Sequence, residues 1–560
     1  MRAAHSEHGR SERVAACRLR SRAVASAASL LLLASGALAP AAGAEPVLLD
    51  VVTSSGDGAQ RVEASQRPVE PVAPGGAAVA IALDRPRQRL RGVGAALTES
   101  SAWLIAGLPA AERHALLASL FDPAQAGVSV VRLAIGASDF SLEHRSLAES
   151  PVPDPELTTF SIERDRQWVI PVLQEILAIR PDVEIMGSPW SAPGWMKEGG
   201  FFLLGSSLVP AFEDAFARYL VRFVEAYGDE GIPVGWLTVQ NEPAAFQSTY
   251  PSMVMFPDQQ ARLLREHLGP ALAEAGLATR VLIWDHNWCD ARFPGTCAGP
   301  APPSFPFEVM AETGRIFPIA GTALHCYGGD QIVANEAIHD AWPDLEIWQT
   351  ECSAGEWLGT RAQAFQATAH RILNDWNHWA NASLLWNFAL DPDNGPHLGG
   401  CETCWGVVTI DPGDGSWVRE LEWDVLAIVS RFGPPGSAVL ETSVTPETGA
   451  IATGVCSPEG RPAAIVLNPG PAATLTIAFG DLHVPVAVGA ASLSAVRAPA
   501  GVACTPVPEP GGGLLAAAAV GALLGLARLR RLSHRLSPEQ ADGTRRTPAI
   551  RSPRGGARAR

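Results

Sequence analysis

An α/β chain, its parallel strands closed into a (β/α)8 TIM barrel with a β-sandwich at its side, follows from three observations. Between residues 90 and 390, short apolar runs alternate with amphipathic helical stretches eight times over. No Gly-x-Gly-x-x-Gly follows the first run, as an open, doubly wound dinucleotide-binding sheet would require. The flanks, residues 46–90 and 428–505, carry short Val/Ala/Ile/Leu runs broken by Gly, Pro and Asp, the texture of an antiparallel sandwich built from both flanks together.

Taken in order, residues 1–44 read as an export signal. Arg18, Arg20 and Arg22 precede the apolar run 28–39, and Ala42-Gly43-Ala44 supplies a small-x-small cleavage site. The run falls short of the roughly 20 residues of a spanning helix. Residues 45–89 open the sandwich, and the barrel occupies 90–427. Its strands are expected at 92–98, 128–134, 183–188, 236–241, 280–285, 321–325, 346–351 and 382–387, with helices at 111–120, 165–179, 211–227, 258–275 and 361–379. Residues 428–505 complete the sandwich. The stretch "VPEPGGGLLAAAAVGALLGLARLRR" (507–531) resembles a PEP-CTERM sorting signal, which implies an exosortase-type processing enzyme as partner; a C-terminal membrane anchor is the alternative. Residues 532–560 are polar, rich in Arg and Pro, and expected to be disordered. These ends point to a secreted or cell-envelope protein.

Charge narrows the partners. The chain carries −16 overall, but the ends are basic: 6 Arg against 2 Glu in 1–44, and 10 Arg against 2 acids in 528–560. The part between them holds the remaining 26 basic and 54 acidic side chains, net −28. Such a surface repels nucleic acid and anionic headgroups, so a neutral substrate is expected. Arginine almost wholly replaces lysine, the exception being Lys197. Of nine cysteines, Cys17 falls in the signal and the rest meet an oxidising compartment. Cys289 and Cys297 enclose a short Pro-Gly loop; Cys401 and Cys404 form a C-x-x-C pair, for which a structural disulfide is favoured over half a zinc site because no second pair stands at zinc spacing. Cys456 and Cys504 are candidates to close the C-terminal domain.

In a (β/α)8 barrel the C-terminal strand ends converge on one pocket. Those ends carry Glu99, Arg132, Trp190, Asn241-Glu242, Asp285-His286, His325 with Tyr327, Glu351 and Trp386. Glu242 and Glu351 close the fourth and seventh strands, near-opposite in a barrel, as the paired carboxyls of glycoside hydrolysis require. The apolar strands beneath are expected to raise the pKa of one of them, keeping it protonated as an acid. His286, Trp288 and Trp405 are candidates to extend the binding surface, since indole faces stack on sugar rings. His286 and His325 form no H-x-x-x-H set, so neither metal nor cofactor is expected.

"GVGAALTESSAWL", "VVRLAIGASDFS", "GSPWSAPGWMK", "LTVQNEP", "ALHCYGG", "QTECSAG" and "LLWNFALDPDNGP" resemble, in order, the barrel motifs of glycoside hydrolase family 30, the glucocerebrosidase (glucosylceramidase)-like enzymes, over residues 90–440. The resemblance implies a retaining β-glycosidase with Glu242 as acid/base and Glu351 as nucleophile. It also implies Asn241 on the sugar 2-hydroxyl, Trp190 and Trp386 around the sugar, Arg132 behind the nucleophile, and His325 and Tyr327 in the pocket wall. Glu99 stands where the glucosidase branch carries Asp on the outer hydroxyls of glucose; a helix-start acid is the other reading. Glucosylceramidase-like action on β-glucosidic bonds is the first expectation. An endo-β-1,6-glucanase of the same family is the alternative, and a non-catalytic sugar-binding surface protein a distant third.

Overall fold

A computed structural model describes residues 46–76, 78–289 and 304–507. Eight parallel strands close into a barrel: β1 Gly92–Ala96, β2 Val130–Ile135, β3 Glu184–Pro189, β4 Val234–Thr238, β5 Arg280–Asn287, β6 Ile319–His325, β7 Glu346–Glu351 and β8 Ala380–Asn387, with β8 pairing back onto β1. Every expected strand is present. The largest difference is β4, which ends at Thr238, so that Asn241 and Glu242 stand on the loop beyond it. The helix expected at 258–275 is α-helical at Pro257–Arg262 and Gly269–Glu274, with a π-turn at Leu263–Leu268 between them. Pro270 explains the change: it has no N–H to continue the α-helical ladder.

Strand periodicity builds the barrel floor and the layer above it. Val130, Met186, Trp236, Leu282, Ala323, Trp348, Ala382 and Leu384 form one buried apolar cluster inside the barrel. Two residues further along a strand the side chain faces the same way, which aims Arg132, Ser188, Thr238, His325, Thr350 and Trp386 into the layer above. Register shifts at Trp284/His286, Gln349/Glu351 and Leu385/Asn387 break that count at β5, β7 and β8. Bulges of this kind re-aim side chains beside active sites. Here they add Asp285 and Glu351 to the same layer.

Both flanks interleave in one nine-stranded sheet. Val47–Ser55 pairs with Ser492–Arg497, and Val79–Arg89 pairs antiparallel with Ala438–Val444 and parallel with Ala473–Phe479. The sheet curls until its ends meet: the Arg67 guanidinium donates to the Ala487 carbonyl at 3.0 Å. The helix Leu421–Phe432 crosses the boundary expected at 427/428 and packs one core with both bodies; Ile428 and Phe432 share a cluster with barrel Val131 and sheet Ile465. Lys197 is 2 % exposed, its ammonium donating to Ser191 Oγ (2.9 Å) and the carbonyls of Phe202 (2.8 Å) and Ser252 (2.7 Å). Burial pushes its pKa down to about 7.

Disulfides join Cys401 to Cys404 and Cys456 to Cys504, as expected, and Cys326 to Cys352, a pair the sequence did not suggest. Cys289 is disulfide-bonded, whereas Cys297 lies outside the described residues. The expected signal peptide, sorting segment and basic tail also lie outside them. Among the described residues no helix is long and apolar enough to cross a membrane.

Candidate active site

The site grows from Arg132, which β2 buries completely. Its guanidinium donates to Glu351 Oε2 (2.5 Å), Asn241 Oδ1 (2.7 Å) and Asp285 Oδ2 (3.0 Å). A buried cation so surrounded repays its desolvation only through such partners. Asp285 also accepts from Ser188 (2.7 Å), Thr238 (2.6 Å) and Thr350 (2.6 Å). Burial alone would raise its pKa, but the Arg132 charge and the bonds from His325 and Thr238 hold the carboxyl well below the usual range.

Glu242 reaches the site by a strained turn. Its φ is +48°, its N–H donates to the Asp285 carbonyl (2.9 Å), and the Asn241 N–H donates to the Pro189 carbonyl (2.8 Å). Positive φ at a non-glycine residue persists where surroundings over-determine it, and such residues cluster at active sites. Trp284 and Asp285 share the property, at +76° and +63°.

His325, fully buried, lies between two carboxylates: Nε2 is 3.0 Å from Asp285 and Nδ1 3.1 Å from Glu242. His286 Nδ1 stands 3.4 Å from the same Glu242 oxygen. Burial works against charge on His325, yet Glu351, Asp285 and Glu242 together raise its pKa to about 9. Burial likewise pushes Glu242 up, but His286 and His325 outweigh it and hold the carboxyl well below the ordinary value. The expectation that apolar strands would leave one of the two glutamates protonated is therefore not met at Glu242: in the His325–Glu242 contact the proton is held on the histidine side. The carboxyl that burial does push up is Asp139, to about 8, with the charges of Glu351 and Glu242 adding to the effect.

These groups open on a cavity of about 410 Å3 lined by Asp139, Glu242, Tyr250, Tyr327, Glu351, Trp357 and Trp386, among others. Glu351, 6 % exposed, accepts from Tyr327 at 3.0 Å on the oxygen that Arg132 leaves free. Cys401 and Cys404 line the rim. Trp190 stacks behind Trp386, ring centres 5.2 Å apart, and Arg132 lies 4.8 Å from its ring centre. Glu242, Glu351, Tyr327 and Trp386 thus face the cavity, and Asn241, Arg132, His325 and Trp190 stand behind them. Trp405 lies under Arg361, whose guanidinium carbon is 4.2 Å from the ring centre.

Glu99 is a correction. It opens the helix Glu99–Gly107, which Thr98 caps, and its carboxylate accepts from the Leu142 N–H (3.0 Å) and Arg164 Nε (2.9 Å). Those partners turn it away from the cavity, so the helix-start reading is the right one. Asp139 is the acid in the wall. It lies in the "GASDFS" stretch, beyond the end of β2, where a list of strand-end residues passes it by. A carboxylate oxygen of Glu242 and one nitrogen each of His286 and His325 lie within 4.8 Å of one another, a donor set for a small divalent cation. A protonated His325 gripped by carboxylates on both sides offers such an ion no lone pair.

Comparison with known proteins agrees with this geometry. The glycosyl hydrolase family 30 TIM-barrel domain matches residues 90–401. The endo-1,6-β-D-glucanase neg1 of Aspergillus fumigatus is 32 % identical over 380 residues, covering 64 % of this chain and 73 % of that protein. The mouse lysosomal acid glucosylceramidase is 26 % identical over 401 residues, covering 68 % and 75 %. Among solved structures, the endo-β-1,6-glucanase BT3312 superposes with a TM-score of 0.73 at 26 % identity, covering 80 % of this chain and 99 % of that one. With a buried arginine gripping one carboxylate, a histidine 3.1 Å from the other, both facing one cavity, and the family's barrel domain matching residues 90–401, the chain belongs to glycosyl hydrolase family 30.

Proposed function

We propose that the protein is a retaining endo-β-1,6-glucanase in which Glu351 is the nucleophile and Glu242 the acid/base. The observation that carries the choice of substrate is that fungal endo-1,6-β-glucanases match at 30–32 % identity, against 25–26 % for glucosylceramidases. The first reading of the sequence, a glucosylceramidase-like enzyme, becomes the second choice.

Glu351, oriented by Arg132 and Tyr327, attacks the anomeric carbon while Glu242 gives a proton to the departing glycosidic oxygen. That proton comes from the His325–Glu242 pair. Water then enters, Glu242 takes one of its protons, and the hydroxide oxygen displaces Glu351 from the sugar, which frees the Glu351 carboxylate and returns a proton to the His325–Glu242 pair. Asn241 spends its amide oxygen on Arg132, which leaves its NH2 to donate to the sugar 2-hydroxyl. Asp139 and Trp386 hold the remaining face of the sugar. Export belongs to the same proposal: an arginine-flanked apolar run precedes the barrel, and Cys326–Cys352, Cys401–Cys404 and Cys456–Cys504 suit an oxidising compartment. An exosortase-type partner for the C-terminal segment remains part of it.

The test is to give the purified protein linear β-1,6-glucan and, separately, glucosylceramide. Oligosaccharides from the polymer, appearing first as the β-anomer by NMR, are the expected result. Glucose from the lipid with the polymer intact would return the assignment to glucosylceramidase, and a first-formed α-anomer would exclude double displacement. Glu242→Gln is expected to lower kcat on the polymer by about 10²–10⁴-fold.

A further inference from the structure

The catalytic cavity is not the end of the binding surface. A second cavity of about 470 Å3 adjoins it, and Tyr327 and Trp357 line both. Trp357 is 54 % exposed and offers its indole to the space between the two cavities. Its ring is nonetheless fixed. A Cβ on Gly355 would fall 2.0 Å from it, so the indole lies against a backbone that only glycine leaves bare. Across the cavity, the Trp288 indole N–H donates to Gln349 Oε1 at 2.9 Å, which fixes a second ring.

The wall also holds a paired arginine. Arg371, on the helix Arg361–Asn377, is 6 % exposed, and its Nη1 donates to Asp375 at 2.9 Å. Two held indoles suit a sugar ring, whose apolar C–H faces lie against aromatic rings. Asp375 already balances the arginine's charge, so a neutral ring suits the cavity better than an anionic one.

We infer that this cavity is a second sugar subsite, holding a glucosyl unit of the same β-1,6-glucan chain whose neighbour is cleaved beside Glu242 and Glu351. The inference rests on the glucanase reading above. A 1,6-linkage runs through an exocyclic CH2 and so has an extra rotatable bond, which lets the chain bend around Tyr327 and Trp357 from one cavity into the other. Trp357 and Trp288 become the residues that make the enzyme favour long substrates.

The experiment compares kcat/KM for β-1,6-gluco-oligosaccharides of increasing length, and for the polymer, in the wild type and in Ala367→Trp. Ala367 is an exposed helix position on the cavity wall with no polar group to lose, and an indole there fills the space. Wild-type kcat/KM is expected to rise about tenfold with length once the second cavity is occupied, a gain of about 1.4 kcal/mol. Ala367→Trp should lose that rise while cleaving the shortest accepted oligosaccharide at the wild-type rate. Trp357→Ala, which removes an exposed ring, should flatten the same curve. A wild type that cleaves the polymer alongside variants that keep the full length dependence would overturn the subsite alone. A wild type that leaves the polymer intact would overturn the glucanase reading and the subsite with it.

Discussion

At the scale of single residues, Asp139 has the most to say about pH. Its carboxyl, pushed up to about 8 by burial and by the charges of Glu351 and Glu242, is protonated at neutral pH. Raising the pH through 8 ionises it and sets a third negative charge beside those of Glu351 and Glu242. kcat/KM is therefore expected to fall with an alkaline limb near pH 8. In Asp139→Asn the limb should move toward about 9, where His325 loses its proton; a limb left at 8 would show that another group sets it. Glu242, Glu351, Asn241 and Arg132 were legible from sequence because each sits at or just past an apolar run. Asp139 was not, because a loop beyond β2 carries it. Glu99 left two readings open, a binder of sugar hydroxyls or a helix-start acid, and Arg164 and the Leu142 N–H claim its oxygens for the second.

Elements explain why the strands were readable and their last residues were not. Apolar runs locate a barrel strand, since its inward side chains must fill the interior. They say nothing of where a bulge shifts the count, and the shifts at Trp284/His286 and Gln349/Glu351 are what bring Asp285 and Glu351 into the layer of Arg132. The same blindness hid Cys326–Cys352. Each cysteine follows the last residue of its strand, and His325 and Glu351 are register partners on neighbouring strands, a proximity no sequence spacing announces. The disulfides also differ in the span they close, 48 residues for Cys456–Cys504 against 3 for Cys401–Cys404. On loop-closure entropy, removing the first should cost about 4 kcal/mol and the second about 2. The melting temperature of Cys456→Ser/Cys504→Ser is thus expected to fall further than that of Cys401→Ser/Cys404→Ser. The shorter pair, which lines the cavity, should show itself in KM instead.

For the whole molecule, the two flanks form one sheet and cannot be separated from each other. Val79–Arg89 is held between Ala438–Val444 and Ala473–Phe479, and Val47–Ser55 is held by Ser492–Arg497. A fragment ending at residue 437 would leave both N-terminal strands with open edges and strip Ile465, Leu493 and Ala495 from the core that Phe432 shares. It is expected to aggregate, by size-exclusion chromatography, whereas residues 45–507 should be monodisperse and keep the full-length kcat. Sequence texture gave the flanks' shared sheet; it could not give the helix Leu421–Phe432 that welds the sheet to the barrel, because its polar residues Glu422 and Asp424 read as a solvent face yet are buried with the rest.

Lys197 carries a practical consequence. It is the chain's sole lysine, and its amine is enclosed by Ser191, Phe202 and Ser252. The folded enzyme therefore offers amine-directed reagents nothing but its α-amino terminus. Succinimidyl dyes would tag one place per molecule, glutaraldehyde would have little to bridge, and coupling to amine-reactive resins would be oriented. Labelling at residue 197 itself would then serve as a clock, recording each time the loop that encloses its amine comes undone.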